Sequence, residues 1–124
     1  QEHQAEMALF LRDPERYAQF VAGRSGAAIG LVEVSLRRDQ VKGTESSPVG
    51  FLEGLYVAPL HRRQGIARHV VAAAEDWARD KGCTEFASDA QLDNLQSQAV
   101  HRALGFIETE RVVCFAKKIR PRRS

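Results

Sequence analysis

The sequence predicts a single α/β domain built around a mixed sheet. Three observations lead to this prediction: strand-like runs flank a glycine-containing turn, one long stretch has apolar residues at helical spacing, and strands alternate with helices behind it. The 124 residues are the length of one domain, without an internal repeat. With 44% hydrophobic and 27% charged residues, the composition is that of a soluble globular protein.

The sequence of the first half of the chain predicts one short helix and a hairpin. Apolar residues at helical spacing predict a helix within residues 2–12. Residues 17–22 and 27–36 are rich in strand-forming types, and the glycines of residues 23–26 between them are typical of a hairpin turn. The polar stretch 37–48 is expected to be a loop.

The second half begins with a predicted strand and the clearest helix. Residues 49–57 form an apolar strand that the Glu53-Gly54 pair interrupts. The apolar residues of 66–78 then recur at helical spacing, and Gly82 stands where helices commonly end. We expect this helix to pack on the sheet.

Three further elements are predicted behind this helix. Residues 83–88 form a short strand, Asp93 or Asn94 caps a helix that runs to Leu104, and residues 106–119 form one or two strands. The only two cysteines fall in predicted strands and lack metal-ligand spacing, so both are expected to be free thiols.

The charge is unevenly distributed along the chain. Five of the 18 basic residues lie in the last eight positions, which leaves 13 basic against 16 acidic residues elsewhere. The acidic body suits a cationic small molecule, whereas the basic tail 120–124 either contacts nucleic acid or, as we favour, is solvated. No apolar run reaches the roughly 20 residues that cross a bilayer and no signal peptide is evident, so a cytoplasmic protein is expected. The histidines lack ligand spacing, and no metal is expected.

A turn in front of the long helix carries the strongest functional signal. It comprises residues 62–67, Arg-Arg-Gln-Gly-Ile-Ala. The first turn of a helix presents unpaired backbone N–H groups, which bind phosphate or pyrophosphate. An ordinary turn with arginines in water is the alternative that spacing leaves open. Neither GxGxxG nor GxxxxGK[ST] occurs, which disfavours dinucleotide-binding and P-loop enzymes.

Two motifs resemble the GNAT acetyltransferase superfamily. Residues 62–67 resemble its [QR]-x-x-G-x-[GA] signature, and residues 94–106 resemble its second motif, an Asn-led helix that closes in Leu-Gly-Phe. Within this superfamily, one subgroup is more similar than the others: residues 51–57, 83–89 and 105–113 resemble the aminoglycoside 6'-N-acetyltransferases. The resemblance implies the GNAT acyl-CoA N-acyltransferase fold, with a mixed, mostly antiparallel sheet flanked by helices.

The extent of the resemblance defines the expected domain. Residues 1–119 are expected to form one GNAT domain that lacks the family's opening strand and helix, on which part of the acceptor pocket would lie. The implied reaction is acetyl transfer from acetyl-CoA to the 6'-amine of an aminoglycoside by direct attack in a ternary complex. An acetyltransferase for another small amine, polyamine or peptide, or a CoA-binding module without turnover, remains an alternative.

The resemblance also assigns roles to individual residues. Glu53, Asp89 and His101 would be catalytic: Glu53 as general base, and His101, where many relatives have a tyrosine, as proton donor to the thiolate or as a hydrogen-bond partner of the cofactor. Glu53, Asp89 and Glu110 would bind the cationic acceptor. Purely structural alternatives are an arginine partner for Glu53, a cap for Asp89, a cross-strand pair for Glu110 and a plain surface position for His101.

The cofactor side and the partners follow from the same resemblance. The backbone N–H of Val57 would stabilise the oxyanion. An unpaired C-terminal strand suggests a homodimer that pairs across a two-fold axis. The residues expected to contact acetyl-CoA are Leu55, Tyr56, Val57, Arg62, Arg63, Gln64, Gly65, Ile66, Ala67, Asn94 and His101.

Overall fold

A five-stranded mixed sheet forms the centre of the protein. The computed structural model describes residues 6–13 and 15–122, with side chains for residues 7–9 and 15–122. The strands follow in chain order across the sheet; the first four are antiparallel and the fifth runs parallel to the fourth, which confirms the predicted fold class. The elements are β1 Glu6–Asp13, β2 Tyr17–Arg24, β3 Ala27–Arg37, β4 Val49–Val57, α1 Ile66–Asp80, β5 Phe86–Ala87 and α2 Leu95–Ala103.

The hairpin between β2 and β3 is as predicted. Ser25 and Gly26 both have positive φ, 54° and 79°, which matches the right-handed twist of the two strands. Ala18, Phe20 and Ala22 of β2 point from the hairpin into the core beneath α1. The alternation of buried and partly exposed residues along β2 thus places one face of the hairpin in the core.

The predicted helix near the N-terminus is wrong over the described residues. Residues 6–13 form β1, which pairs antiparallel with β2 from Glu6 opposite Gly23 to Asp13 opposite Tyr17; residues 2–5 lie outside the described part. A short apolar run such as Met-Ala-Leu-Phe-Leu fits either element by periodicity. The segment forms a strand because it pairs with the edge of β2, where its backbone N–H and C=O groups form hydrogen bonds with those of β2.

The long helix α1 packs on one face of the sheet, as expected. Its buried residues Val70, Val71 and Ala74 join the core. Gly50 on β4 permits this approach, since a Cβ at that position would lie 2.7 Å from the Cβ of Ala78 and 2.7 Å from the Phe86 ring. The helix ends at Asp80, and Gly82 follows with φ 93°.

The end of the chain departs from the prediction of strands. Residues 106–122 form neither strand nor helix, and Cys114 is exposed there. Cys83 is also free but buried, ahead of β5 rather than within a strand, and burial raises the pKa of its thiol. Strand-forming composition alone does not produce a strand, because the hydrogen-bonded ladder needs a neighbouring chain segment.

Among the described residues, none of the helices has the length and hydrophobicity to span a bilayer.

Candidate active site

One cavity collects most of the predicted site residues. It has a volume of about 930 Å³ and lies between the second half of β4, the start of α1, the residues after β5, and α2. Gln64 and Glu110 are the two predicted site residues that do not line it. Those that do are Glu53, Leu55, Tyr56, Val57, Arg62, Arg63, Gly65, Ile66, Ala67, Asp89, Asn94 and His101.

The turn before α1 has the geometry of an anion site. Arg63 and Gly65 both have positive φ, 64° and 80°, and Gly65 is the N-cap residue of α1. The first turn contains no acidic residue, and the backbone N–H groups at the start of the helix have no helical partner. These donors and the positive end of the helix dipole face the same cavity.

Side chains hold this turn in place from both ends. The Nε of Arg62 donates to the carbonyl oxygen of Val57 at 3.1 Å, which fastens the turn to the end of β4. Gln64 accepts from a guanidinium N–H of Arg24 at 3.2 Å and donates to the carbonyl of Leu60 at 3.4 Å. The structure therefore gives Gln64 a role in shaping the turn, and its expected contact with a ligand stays a prediction.

A β-bulge accounts for the carboxylate inside β4. Glu33 pairs with Gly54 and Val34 with Leu52, so Glu53 is the extra residue of its strand and is exposed. Its carboxylate accepts from the Ser35 hydroxyl at 2.5 Å and forms an ion pair with Arg37 at 3.0 Å. The arginine partner anticipated as a structural alternative is thus present, while the residue also lines the cavity.

The other two predicted carboxylates lie in different surroundings. Asp89 is exposed on the cavity wall two residues after β5, across from Glu53 on β4. Glu110 lies after α2, in the segment that is neither helix nor strand, and is exposed. Nearby Glu108 forms ion pairs with Arg111 at 2.8 Å and Arg102 at 3.0 Å; the hydrogen bond from Arg111 is the main cause of its lowered pKa. The structure brings Asp89 and Glu53 to one cavity but not Glu110.

Asn94 caps α2. The sequence predicts either Asp93 or Asn94 as this cap. The Oδ1 of Asn94 accepts from the backbone N–H of Ser97 at 3.0 Å. Asn94 also lines the cavity. The capping role is confirmed, and the contact with a cofactor stays a prediction.

His101 has hydrogen-bond partners at both ring nitrogens. Its Nδ1 lies 2.7 Å from the carbonyl oxygen of Ser97, and its Nε2 lies 2.7 Å from the hydroxyl of Ser88. The ring edge packs against Phe106 with centroids 5.2 Å apart. Ser88 was not among the predicted site residues; its place at the end of a predicted strand, directly before Asp89, was the available signal. No group of three or more potential metal-ligating side chains occurs in the described part of the chain.

The geometry combines a turn suited to an anionic ligand at the start of α1 with a cavity that an imidazole and two carboxylates line. A model of the acetyltransferase (GNAT) family matches residues 1–106. The chain belongs to the acetyltransferase (GNAT) family. The predicted family and fold are thereby confirmed.

The chain is also similar to individual proteins whose names specify an acceptor. The chain is 58% identical to an aminoglycoside N(6')-acetyltransferase type 1 of Acinetobacter haemolyticus, over 85% of this chain and 73% of that protein. It is 49% identical to one of Serratia marcescens, over 96% of this chain and 82% of that protein. The solved structure of AAC(6')-Iy in complex with the bisubstrate analog CoA-S-monomethyl-acetylneamine superposes with a TM-score of 0.80 at 48% identity, covering 84% of this chain and 71% of the other.

Proposed function

We propose that this protein transfers the acetyl group of acetyl-CoA to the 6'-amine of an aminoglycoside, by direct attack of the amine within a ternary complex. The observation that carries the proposal is a single cavity that joins the anion-binding turn to the carboxylates of Glu53 and Asp89. The activity of the relatives and the bisubstrate analog bound by AAC(6')-Iy support it. Acetylation would remove the positive charge of the 6'-amine from the aminoglycoside. This loss of charge is the chemical basis on which such an enzyme would confer resistance to the antibiotic.

The cofactor half of the proposed site rests on backbone donors. The N–H groups at the start of α1 would bind the pyrophosphate of acetyl-CoA, and Arg62 and Arg63 would add positive charge at the cavity wall. Val57 at the end of β4 would supply the N–H for the thioester oxyanion, while Asn94 on the opposite wall would contact the pantetheine arm. Together these groups orient the thioester before the amine arrives.

The acceptor half rests on carboxylates. Glu53 and Asp89, which line the same cavity, would attract a polycationic acceptor. Glu53 would take the proton of the attacking ammonium, directly or through a water. Its ion pair with Arg37 at 3.0 Å holds the carboxylate in a defined position on the cavity wall. Glu110 is proposed as an additional acceptor contact from the segment behind α2. His101 would return a proton to the departing thiolate.

A panel of amines tests the proposed function. Purified protein is mixed with acetyl-CoA and, in separate reactions, with kanamycin, spermidine or a peptide, and thiol release is measured. We expect kanamycin to be acetylated at its 6'-amine, identified by mass spectrometry and NMR. No thiol release above background with any aminoglycoside would refute the assignment, and turnover of spermidine or peptide alone would move it to another acceptor.

Neutralising the two cavity carboxylates should weaken acceptor binding selectively. For Glu53→Gln and Asp89→Asn we expect KM for the aminoglycoside to rise about tenfold or kcat to fall by a similar factor, because a hydrogen bond to a charged group contributes about 1.5–3 kcal/mol. Binding of CoA, measured by calorimetry, should be unchanged. Asp80→Asn on the far end of α1 is a charge-matched control. If CoA affinity collapses instead, these roles are wrong.

We also propose that the protein is a homodimer in the cytoplasm. The segment behind α2 exposes large apolar side chains, among them Ile107 at 84%, Phe115 at 92% and Ile119 at 89%, which a second copy would cover. The free thiols of Cys83 and Cys114 suit a reducing compartment such as the cytoplasm.

The proposed dimer can be tested by sedimentation equilibrium. The wild type should have the mass of a dimer, and Phe115→Glu should shift the equilibrium toward the monomer. A monomeric wild type at high protein concentration would contradict the dimer.

A further inference from the structure

The hydrogen bonds of His101 fix the position of its proton. A carbonyl oxygen can only accept, so the contact of 2.7 Å between Nδ1 and the carbonyl of Ser97 places a hydrogen on Nδ1. In the neutral ring, Nε2 is then an acceptor, and it lies 2.7 Å from the Ser88 hydroxyl. The hydroxyl hydrogen of Ser88 therefore points at Nε2.

Ser88 occupies the point where β4 and β5 separate. The last pair of the two parallel strands is Phe51 with Ala87, and Ser88 follows directly. Its hydroxyl hydrogen can reach either Nε2 of His101 at 2.7 Å or the carbonyl oxygen of Leu52 at 3.5 Å, and the shorter contact is the one to the imidazole. Both Ser88 and His101 line the cavity. The hydroxyl and the imidazole thus contact each other at the wall of the cavity proposed for the reacting groups.

We propose that the Ser88 hydroxyl relays protons between the reacting groups and Nε2 of His101. This inference rests on the proposed acetyl transfer. As the tetrahedral adduct forms, its ammonium nitrogen gives one proton to the Ser88 oxygen while the Ser88 hydrogen passes to Nε2, which yields an imidazolium and an intact hydroxyl. When the C–S bond breaks, the Nε2 hydrogen returns to the Ser88 oxygen and the hydroxyl hydrogen passes to the departing sulfur. The relay returns to its starting state, and the free thiol carries the proton.

Kinetics with paired Ser88 variants test the relay. Ser88→Ala removes the hydroxyl and should lower the single-turnover rate by roughly tenfold to a hundredfold, a fraction of the usual acid–base contribution, without changing KM for acetyl-CoA. Ser88→Thr keeps the hydroxyl and should retain most of the rate. Ser47→Ala, whose hydroxyl binds the carbonyl of Arg38 outside the cavity, is the control. Equal rates for wild type and Ser88→Ala would overturn the relay.

Solvent isotope effects separate a relay from mere positioning of the ring. Two protons move together in the relay, so the single-turnover rate of the wild type should depend non-linearly on the deuterium fraction of the solvent, and that of Ser88→Ala linearly. A linear dependence in the wild type means that Ser88 only orients His101, which overturns the proposal. Mass spectrometry of the quenched enzyme gives a further check, since an acetyl group on Ser88 would show a nucleophile and not a relay.

The relay and the proposed function can fail separately. Rates for the variants are measured with any amine that the wild type acetylates, so loss of the aminoglycoside assignment leaves the comparison intact. Nitrogen-15 NMR of His101 in the resting protein needs no turnover: we expect the Nδ1–H form, with the Nε2 shift altered in Ser88→Ala. An Nε2–H form would overturn the relay even in a fully active acetyltransferase.

Discussion

Gly65→Val is expected to weaken the binding of CoA about tenfold to a hundredfold, the largest effect on cofactor affinity that a single substitution should have here. Gly65 has φ 80° at the N-cap of α1, a conformation that a β-branched residue adopts only under strain. When the turn relaxes, the backbone N–H groups move away from the pyrophosphate, and loss of one charge-assisted hydrogen bond costs about 1.5–3 kcal/mol. Isothermal titration calorimetry with CoA measures the change.

A second glycine provides a control for the strain itself. Gly26 has φ 79° in the β2–β3 turn, and a Cβ there, as at Gly65, would have no heavy atom within 4 Å. Gly26→Val should therefore lower the free energy of unfolding about as much, roughly 1–2 kcal/mol, while leaving CoA affinity unchanged. If both variants bind CoA like the wild type, the turn at residues 62–67 is not the pyrophosphate site.

His101→Gln is expected to lower kcat by about a hundredfold, as removal of a general acid commonly does. Glutamine is close to histidine in size and can keep a hydrogen bond to Ser88, but it cannot take up and release a proton near neutral pH. The affinity for CoA should change little, because the backbone donors of α1 are untouched. Steady-state kinetics with saturating kanamycin and acetyl-CoA give the value.

A histidine outside the cavity and a double variant complete this test. His69→Gln on the exposed side of α1 should leave kcat unchanged. If Ser88 acts only through His101, adding Ser88→Ala to His101→Gln should have no further effect, since residues that act as one unit are not additive. A His101→Gln enzyme with wild-type kcat would remove His101 from the reaction.

Local signals were enough to predict the two helices. The apolar periodicity of residues 66–78 and the glycine at position 82 predicted α1, which spans Ile66–Asp80. Asp93 or Asn94 before a helical run predicted a cap, and Asn94 forms it in α2. Each of these signals depends on residues three or four positions apart, which a helix brings together by itself.

The ends of the chain were predicted wrongly for a related reason. Residues 6–13 pair with β2 and are not a helix, while residues 106–119 contain strand-forming types but no strand. Whether a segment becomes a strand depends on a neighbour with open backbone groups, and that neighbour lies elsewhere in the chain or in another molecule. Composition within the segment carries no information about it.

The sequence by itself determined the family, the turn at residues 62–67 and the helices α1 and α2, because these depend on short-range patterns and a contiguous motif. Only the tertiary structure decided which polar residues act together. The bulge that exposes Glu53 depends on the register between β3 and β4, and Ser88 meets His101 across 13 positions because the end of β5 faces α2. Long-range packing of strands and helices sets such contacts, and no local spacing encodes them.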